Sequence, residues 1–386
     1  MAAGSTPGLS ELRFVNPHRR SGWTYADVPA SRPTVLPTAP RELDVDIPGQ
    51  GRTRPLAEWI VETHSTSLLV VDRGVVVYEW YADGLGPTDL FLGASMTKST
   101  LAHLVGRAVT TGALDRRTRV VDHVPELADS GYADCTVEHQ LTMTTGVDWV
   151  EDHRDPASLA SRLLSCFSAG SGDSRDLLRS VRPAHRPGTR FEYCTADSQV
   201  LDWVRERATG ATDVAAAAEL WRAIGAESDA MIALDAPDGV ALAGGGLAAT
   251  PRDWARVAML QVDGTVDGEK VLDPDWVERS SAPSRSFLAP GRLPSSITTH
   301  AGFGFHWWPL DASGRLVTAD GSRGQFAYAD RDLGVVVVKT SQWPYADWLV
   351  DRQHRDLSYL GLPLIARAAA DARSLDAGHR EHEQEA

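Results

Sequence analysis

The sequence has few lysines, an excess of acidic residues and no long apolar run, and each of these features excludes a class of protein. Only three of its 38 Lys and Arg residues are lysine, and the 38 are outnumbered by 52 Asp and Glu, giving a net charge of −14 over 386 residues. A nucleic-acid backbone is bound by a basic face that releases counterions. We therefore expect no nucleic-acid partner and, instead, a small-molecule substrate.

Membrane, disulfide and metal signals are also missing. No apolar run approaches the length of about 18 residues that makes a transmembrane helix a candidate, and residues 1–23 lack the apolar region of a signal peptide. The three cysteines, Cys135, Cys166 and Cys194, are odd in number and lack CxxC spacing, so they indicate neither a disulfide framework nor a zinc site. We expect a cytoplasmic protein without membrane contact, bound metal or cofactor.

Hydrophobic periodicity divides the chain into four parts. Residues 1–52 are rich in proline, which is typical of an extended arm or a partly disordered leader. Residues 53–111 and 241–371 carry strand and helix patterns and are expected to build one α/β domain, whereas residues 112–240 are mainly helical. Residues 372–386 form a charged tail. The expected fold class is α/β in the α+β arrangement, an antiparallel sheet flanked by helices with an added helical domain.

Individual segments give more local predictions. Two apolar runs that meet at residues 72–74, Asp-Arg-Gly, predict a hairpin, and residues 95–111 predict an amphipathic helix. The glycine-rich stretch 169–182 is predicted to be a surface loop. Strands are predicted at residues 303–310, 316–319, 325–329 and 334–340.

Several common catalytic motifs are absent. Residues 93–97, GASMT, end in threonine and so do not complete GxSxG, and no histidine falls in an HExxH or HxxEH pattern. The glycines at 244–246 lack the Lys-Ser/Thr of a P-loop. These absences leave Ser95-Met96-Thr97-Lys98, at the start of the predicted helix, as the main chemical signal.

The spacing of Ser95 and Lys98 places both side chains on one helix face. A serine hydroxyl needs a neighbour that takes its proton or stabilises its alkoxide, and a buried ammonium with a lowered pKa can do this. The free N–H of Ser95 at the helix N-terminus can also face a developing oxyanion. The alternative is a helix-capping serine followed by a solvated lysine.

Tyr193 is the second candidate, because residues 187–195, PGTRFEYCT, place it after a tight turn and before an amphipathic helix. A tyrosinate beside a cation can act as a general base, and the phenol can return the proton to a leaving group. The alternative is a tyrosine in the hydrophobic core whose hydroxyl forms a hydrogen bond with a neighbouring group.

Together these motifs resemble the beta-lactamase and penicillin-binding serine hydrolase superfamily, on its class C and esterase side. The resemblance covers roughly residues 55–370 and rests on SMTK, PGTRFEY, the GGGLAATPRD run at 244–253 and the strand at 334–339. Within the superfamily the chain is similar to hydrolases of linear 6-aminohexanoate amides. The resemblance implies a beta-lactamase/DD-peptidase-like fold, with a helical domain that closes the site, and a covalent acyl-enzyme.

The resemblance also implies roles for individual residues. Ser95 would be the nucleophile, Lys98 would polarise and hold it, and Tyr193 would act as base and acid. The backbone N–H groups of Ser95 and Ser322 would form the oxyanion hole. Two positions depart from the family pattern: Arg323 stands where His or Lys is usual, and Thr195 replaces the Asn of a Tyr-x-Asn motif. The candidates for substrate contact are Thr195, Arg323, Gly324, His153, Trp308 and Trp343.

Solvated loop positions and core packing remain the alternatives for His153 and the two tryptophans. Glu151 and Asp152 could receive a substrate amine, but charged loop residues are usually solvated.

Four functions are compatible with these residues. The first is a serine hydrolase of the S-x-x-K type that forms an acyl-enzyme on Ser95 and acts on a linear amide, preferably oligomeric, or on a carboxylic ester. The second is an acyltransferase that passes the same acyl group to an amine or alcohol. The third is a beta-lactamase or D-alanyl peptidase, and the fourth is an inactive binding relative. A homodimer is one option for the assembly.

The shortage of lysine narrows the set of candidate catalytic lysines. Arginine can replace lysine on most surfaces, but it cannot lose its proton to activate a serine. Lys270 and Lys339 have unremarkable sequence contexts, so Lys98 is the lysine that we expect to carry the chemistry.

Overall fold

The computed structural model describes residues 14–19, 22–344 and 352–385. Their strands are β1 (Thr24–Val28), β2 (Asp46–Gly49), β3 (Arg52–Pro55), β4 (Ser65–Asp72), β5 (Val75–Tyr81), β6 (Phe91–Leu92), β7 (Ala230–Leu234), β8 (Leu247–Ala249), β9 (Thr265–Val266), β10 (Glu269–Lys270), β11 (Trp308–Pro309), β12 (Leu316–Gly321), β13 (Gln325–Asp330) and β14 (Val335–Ser341). Their helices are α1 (Leu56–Glu62), α2 (Thr97–Thr110), α3 (Val120–His123), α4 (Val137–Leu141), α5 (Leu159–Ala169), α6 (Ser174–Ser180), α7 (Thr195–Thr209), α8 (Asp213–Ala223), α9 (Pro251–Asp263), α10 (Pro274–Ser281) and α11 (Gln353–Glu385).

A six-stranded antiparallel sheet in the order β11-β12-β13-β14-β4-β5 forms the centre of the fold. Strand β14 is buried along its whole length, because successive side chains point to opposite faces and both faces are covered. Val336 and Val338 join the core cluster that includes Trp254 of α9. Val335 and Val337 join the cluster on the other face, which includes Ile365 of α11. The predicted antiparallel sheet flanked by helices is confirmed.

A second sheet, in the order β1-β7-β8-β6, connects the N-terminal arm to the site region. Strand β1 pairs antiparallel with β7, and the two-residue strand β6 pairs with β8 through Phe91 and Ala249. Leu92 therefore ends a hydrogen-bonded strand three residues before Ser95, which fixes where the chain turns into α2.

The N-terminal arm and helix α11 meet at Asp72, the last residue of β4. Its buried carboxylate is paired with Arg41 of the arm, at 2.5 Å from Nη1, and with Arg373 of α11. A buried charge is tolerated when it is paired in this way.

The hairpin β4-β5 and helix α2 lie where the sequence predicts them. The predicted loop at 169–182 is wrong, because Leu177 and Leu178 bury one face of the short helix α6. Of the predicted strand at 303–310, only the two residues of β11 are extended and paired. His306 has a φ of 57°, which is outside the range of a strand. Gly304 packs so closely on the backbone of Ser280 that a Cβ there would lie 2.1 Å from the Ser280 carbonyl oxygen. The chain turns at this point instead of extending.

The strands and helices support a division of the chain, which we propose as domains. Residues 53–111 and 241–371 contribute the six-stranded sheet with α1, α2, α9 and α10, and residues 112–240 contribute α3 to α8 together with β7. Helix α11 continues through the charged segment to Glu385. Within the described ranges, no helix is long and apolar enough to cross a membrane.

Candidate active site

Ser95 lies in a short 3-10 turn, Ala94–Met96, between β6 and α2. Gly93 donates its N–H to Leu247 of β8 at 2.9 Å, which anchors the entry to the turn. Ala94 adopts a φ of 45°, in the left-handed region that costs an L-residue on the order of 1 kcal/mol. The chain accepts this strain at the residue directly before the serine, and the Ser95 hydroxyl faces a cavity.

Lys98 is one helical turn further on and is buried, with only 2% of its surface exposed. Its Nζ lies 3.0 Å from Ser95 Oγ, 3.1 Å from Thr195 Oγ1 and 2.6 Å from the carbonyl oxygen of Gly244. Burial lowers the pKa of the ammonium to about 8, although the nearby Glu151 carboxylate opposes the change. The amine is therefore placed as expected from the i, i+3 spacing, and its neutral form is accessible near neutral pH.

Tyr193 directly precedes Cys194 and helix α7, and its side chain is buried. A side-chain hydrogen bond joins it to Ser95. Its ring stacks on Trp308 with centroids 5.8 Å apart, and Lys98 Nζ lies 5.2 Å from its ring centroid. Burial, together with the Glu151 charge, raises the pKa of the phenol far above its usual value, so Tyr193 keeps its proton at neutral pH.

The cavity in front of Ser95 opens to solvent. Phe14, Leu92, Leu164 and Leu242 form its apolar wall. The polar lining is shared among several elements and comprises Ser95, Glu151, His153, Tyr193, Thr195, Asp320, Ser322 and Arg355. An apolar wall with a few convergent polar groups is typical of a small-molecule site.

Ser322 follows β12 and faces the same cavity as Ser95. The neighbouring Gly321 packs directly on the serine turn: a Cβ there would lie 2.1 Å from the carbonyl oxygen of Gly93 and 3.1 Å from the amide nitrogen of Met96. Only glycine permits this approach of two backbones. The N–H groups of Ser95 and Ser322 thus belong to two segments in direct contact.

Thr195 and His153, two of the candidates for substrate contact, line the cavity. Trp308 is absent from the lining, and its ring stacks on that of Tyr193. Its placement indicates a role in holding the tyrosine ring rather than in walling an acyl pocket.

Arg323, Gly324 and Trp343 also lie outside the lining. Trp343 is buried beneath Gly324, where a Cβ would come within 2.4 Å of the indole, and its Nε1 donates to the carbonyl oxygen of Thr63 at 3.1 Å. Arg323 donates to the carbonyl oxygen of Trp343 at 3.2 Å. These three residues support the turn that carries Ser322, and none of them replaces the His or Lys of the family pattern inside the cavity.

Glu151 is the residue whose importance the sequence conceals. Its carboxylate is buried, and each oxygen has two hydrogen-bond partners. Oε2 accepts from Trp149 Nε1 at 2.6 Å and from the Thr195 N–H at 3.0 Å, while Oε1 accepts from the Thr195 hydroxyl at 2.5 Å and lies 3.2 Å from His153 Nε2. Burial alone would raise the pKa of this carboxyl, but the His153 hydrogen bond and the charges of His153 and Lys98 lower it to about 2.

Asp320 and Arg355 add an ion pair to the cavity wall. Arg355 Nε donates to Asp320 Oδ2 at 2.8 Å, and Tyr359 donates to the same oxygen at 2.5 Å. The two partners come from β12 and α11, 35 residues apart, so no local pattern could have identified them. Among the described residues, no group of three or more His, Cys, Asp or Glu is arranged to hold a metal ion.

Comparison with known proteins agrees with this geometry. Residues 57–359 match the profile of the Beta-lactamase family. A curated relative, 6-aminohexanoate-dimer hydrolase of Paenarthrobacter ureafaciens, is 31% identical over 359 residues, which cover 90% of this chain and 91% of the relative.

Solved structures resemble the chain over most of its length. A Bacillus anthracis protein proposed to be a 6-aminohexanoate-dimer hydrolase superposes with a TM-score of 0.76 at 20% identity, covering 92% of each chain. EstCE1, described as a hydrolase with promiscuous acyltransferase activity, superposes with a TM-score of 0.59 at 18% identity, covering 79% of this chain and 98% of its own. At these identities the likeness concerns the fold.

Proposed function

This chain belongs to the beta-lactamase family of serine hydrolases, and from that premise we propose that it cleaves a linear amide or ester through an acyl-enzyme on Ser95. The observation that carries the proposal is the buried amine of Lys98, which lies within hydrogen-bond distance of the Ser95 hydroxyl at the base of an open cavity. A buried amine with a pKa near 8 is able to take the proton of an attacking serine.

The proposed acylation step uses three side chains. Ser95 Oγ attacks the substrate carbonyl carbon as its proton passes to Lys98, and the N–H groups of Ser95 and Ser322 bind the oxyanion. Tyr193 then gives its phenolic proton to the leaving nitrogen and is reprotonated from the Lys98 ammonium. Water attacks the ester by the reverse sequence and releases the acid.

The base in this scheme is Lys98, whereas the family resemblance implies Tyr193 for both proton transfers. Burial raises the pKa of Tyr193 far above neutrality, so a tyrosinate is scarce, while the pKa of Lys98 is about 8. We therefore keep Tyr193 only as the acid that serves the leaving group.

For the substrate we propose a linear amide with an unbranched hydrocarbon acyl chain, such as a short oligomer of an ω-amino acid. Two features support this class. The cavity wall of Leu92, Leu164, Leu242 and Phe14 provides apolar contact for methylene groups. The name of the curated relative describes hydrolysis of the 6-aminohexanoate dimer.

Acyl transfer is the second candidate, favoured by a neighbouring groove. This groove shares Tyr193 and Glu151 with the first cavity and is walled by Trp149, Phe191 and Ile297. An amine or alcohol bound there would approach the acyl-enzyme from the side of Tyr193, the residue that handles the proton of the leaving group.

A substrate panel combined with mass measurement tests these functions. After brief exposure to p-nitrophenyl acetate, we expect an intact-mass increase of one acetyl group, located on Ser95. We also expect hydrolysis of 6-aminohexanoate oligomers to exceed that of D-alanyl peptides and a chromogenic beta-lactam.

The panel is run with and without an added amine. Product partition toward the amine over water would support the transferase. The absence of any acyl adduct would contradict the proposal and favour an inactive relative, and preferential opening of the beta-lactam would contradict the proposed substrate class.

Substituting Tyr193 with phenylalanine should separate amides from activated esters. Tyr193→Phe removes the proton donor, so we expect turnover of an unactivated amide to fall about 10²- to 10⁴-fold, while p-nitrophenyl acetate, whose leaving group needs no proton, loses far less. Comparing kcat/KM for the two substrates in one preparation provides the measurement. An equal loss on both would argue against Tyr193 as the acid.

A further inference from the structure

The Lys98 amine has three close neighbours: one carbonyl oxygen, which can only accept a hydrogen bond, and two hydroxyls, which can donate or accept. The carbonyl oxygen of Gly244, 2.6 Å away, has no proton to give. The hydroxyl of Thr195, 3.1 Å away, could in principle donate or accept. The third neighbour is Ser95 Oγ at 3.0 Å.

Glu151 decides which way the Thr195 hydroxyl points. A threonine hydroxyl has one proton, and its oxygen lies 2.5 Å from Glu151 Oε1. The carboxylate is ionised near neutral pH, because its pKa lies near 2, so it only accepts. The proton of Thr195 is therefore committed to Glu151, and toward Lys98 the threonine presents a lone pair.

This constraint fixes the orientation of the lysine. A neutral amine has two N–H bonds and one electron pair. With both N–H bonds given to Gly244 and Thr195, the electron pair is left facing Ser95 Oγ. We propose that Glu151 and Thr195 form a positioning pair that turns the free electron pair of Lys98 toward the Ser95 proton. The inference rests on the proposed function, in which Lys98 is the base.

Glu151 is poorly placed to bind a substrate amine directly. Trp149, His153 and both polar groups of Thr195 already occupy its two oxygens, which leaves little acceptor capacity for a ligand. Its effect on the reaction is thus exerted through Thr195 and through its charge.

Among the described residues, Glu151 is the charged group that acts on Lys98. The thiol of Cys194 and the phenol of Tyr193 have pKa values raised by burial, so both are neutral. His306, whose Nδ1 lies 3.3 Å from the Lys98 carbonyl oxygen, has its pKa lowered by burial to about 3 and is neutral too. The Glu151 anion raises the pKa of Lys98, so removing the anion lowers it.

Glu151→Gln tests the inference, because it keeps the shape and removes the charge. The amide can donate to Thr195, which frees the threonine proton to bond the Lys98 electron pair. We expect the acylation rate for an unactivated amide to fall about 10²-fold with little change in KM. The wild-type rate should rise with pH through about 8 as Lys98 loses its proton, and in the variant this rise should move to lower pH by roughly one unit.

Three further single variants and one double variant complete the design. Thr195→Val removes the hydroxyl at nearly constant volume and should reduce acylation as much as Glu151→Gln, with the double variant no worse than either single one. Thr195→Ser should recover most of the loss. Asp176→Asn, which removes an exposed carboxylate of α6 paired with Arg179, is the matched control and should leave the pH dependence in place.

The outcomes separate this inference from the proposed function. A wild-type enzyme that forms no acyl adduct on Ser95 refutes both. If the wild type acylates but Glu151→Gln lowers the rate without moving the pH dependence, or Thr195→Val acylates normally, the positioning pair alone is refuted. A purely structural role would reduce the folded fraction, measured by thermal unfolding, and would not shift the pH dependence.

Discussion

Ser95→Ala should remove amide turnover almost completely, by about 10⁶-fold, the scale seen when a protease loses its nucleophilic serine. Alanine has no oxygen to carry the acyl group, and the remaining oxyanion donors cannot substitute for a covalent intermediate. Steady-state turnover of a short oligoamide and intact-mass analysis after a serine-directed acylating probe provide the two readouts.

Ser313→Ala is the matched control, because Ser313 is an exposed serine in the turn before β12 and lies outside the cavity. It should acylate and turn over substrate like the wild type. Retained turnover in Ser95→Ala, or labelling of a different residue by the probe, would refute the assignment of the nucleophile.

Lys98→Arg should be the second most damaging change, with a loss of about 10⁴-fold on unactivated amides. A guanidinium stays protonated at any accessible pH, so it cannot accept the serine proton. Raising the pH from 7 to 9 should accordingly not restore activity, although the same change increases the acylation rate of the wild type. The measurement is the single-turnover acylation rate across this range.

Arginine is also larger than lysine, so a folding defect has to be separated from a chemical one. Lys98→Met keeps the length of the side chain and removes a buried charge, and we expect it to fold with unchanged or higher stability while remaining inactive. Lys270→Arg, at an exposed lysine paired with Asp273, is the control and should behave like the wild type. Normal acylation by Lys98→Met would show that another group is the base.

The parts of the site that the sequence predicts are those encoded locally. The i, i+3 spacing on a helix brings Lys98 to Ser95, and Tyr193 lies at the start of α7, where the local pattern predicts it. The alternation of apolar residues likewise predicts β4, β5, β12, β13 and β14 close to their observed bounds.

The parts that the sequence conceals depend on long-range packing. Glu151 belongs to a charged loop and would ordinarily be solvated, but the N-terminus of α7 covers it. Trp308 and Trp343 are aromatic residues near the site, yet composition cannot tell which side of a cavity wall an indole occupies. The missing strand at 303–307 has the same origin, since close contact with the backbone of Ser280 overrides the local apolar pattern.

The position of Lys339 differs from what the scarcity of lysine suggests. Its context appeared unremarkable in the sequence, but its amine is fully buried, bonds the hydroxyl of Ser341 and lies 5.4 Å from the ring centroid of Trp59. Lys98 and Lys339 are therefore both buried lysines. They differ in the serine that each one bonds, because Ser95, the partner of Lys98, lines the open cavity and Ser341, the partner of Lys339, does not.

The meeting of Arg41 and Arg373 at Asp72 has a practical consequence for anyone who shortens this chain. A truncation after residue 371, directly before the charged tail, would delete Arg373 and leave the buried carboxylate of Asp72 with only Arg41 of these two partners. Removal of one partner from a buried ion pair is commonly more damaging than removal of both. The C-terminal boundary of a minimal version should therefore lie beyond Arg373, and a shortened N-terminus should retain Arg41.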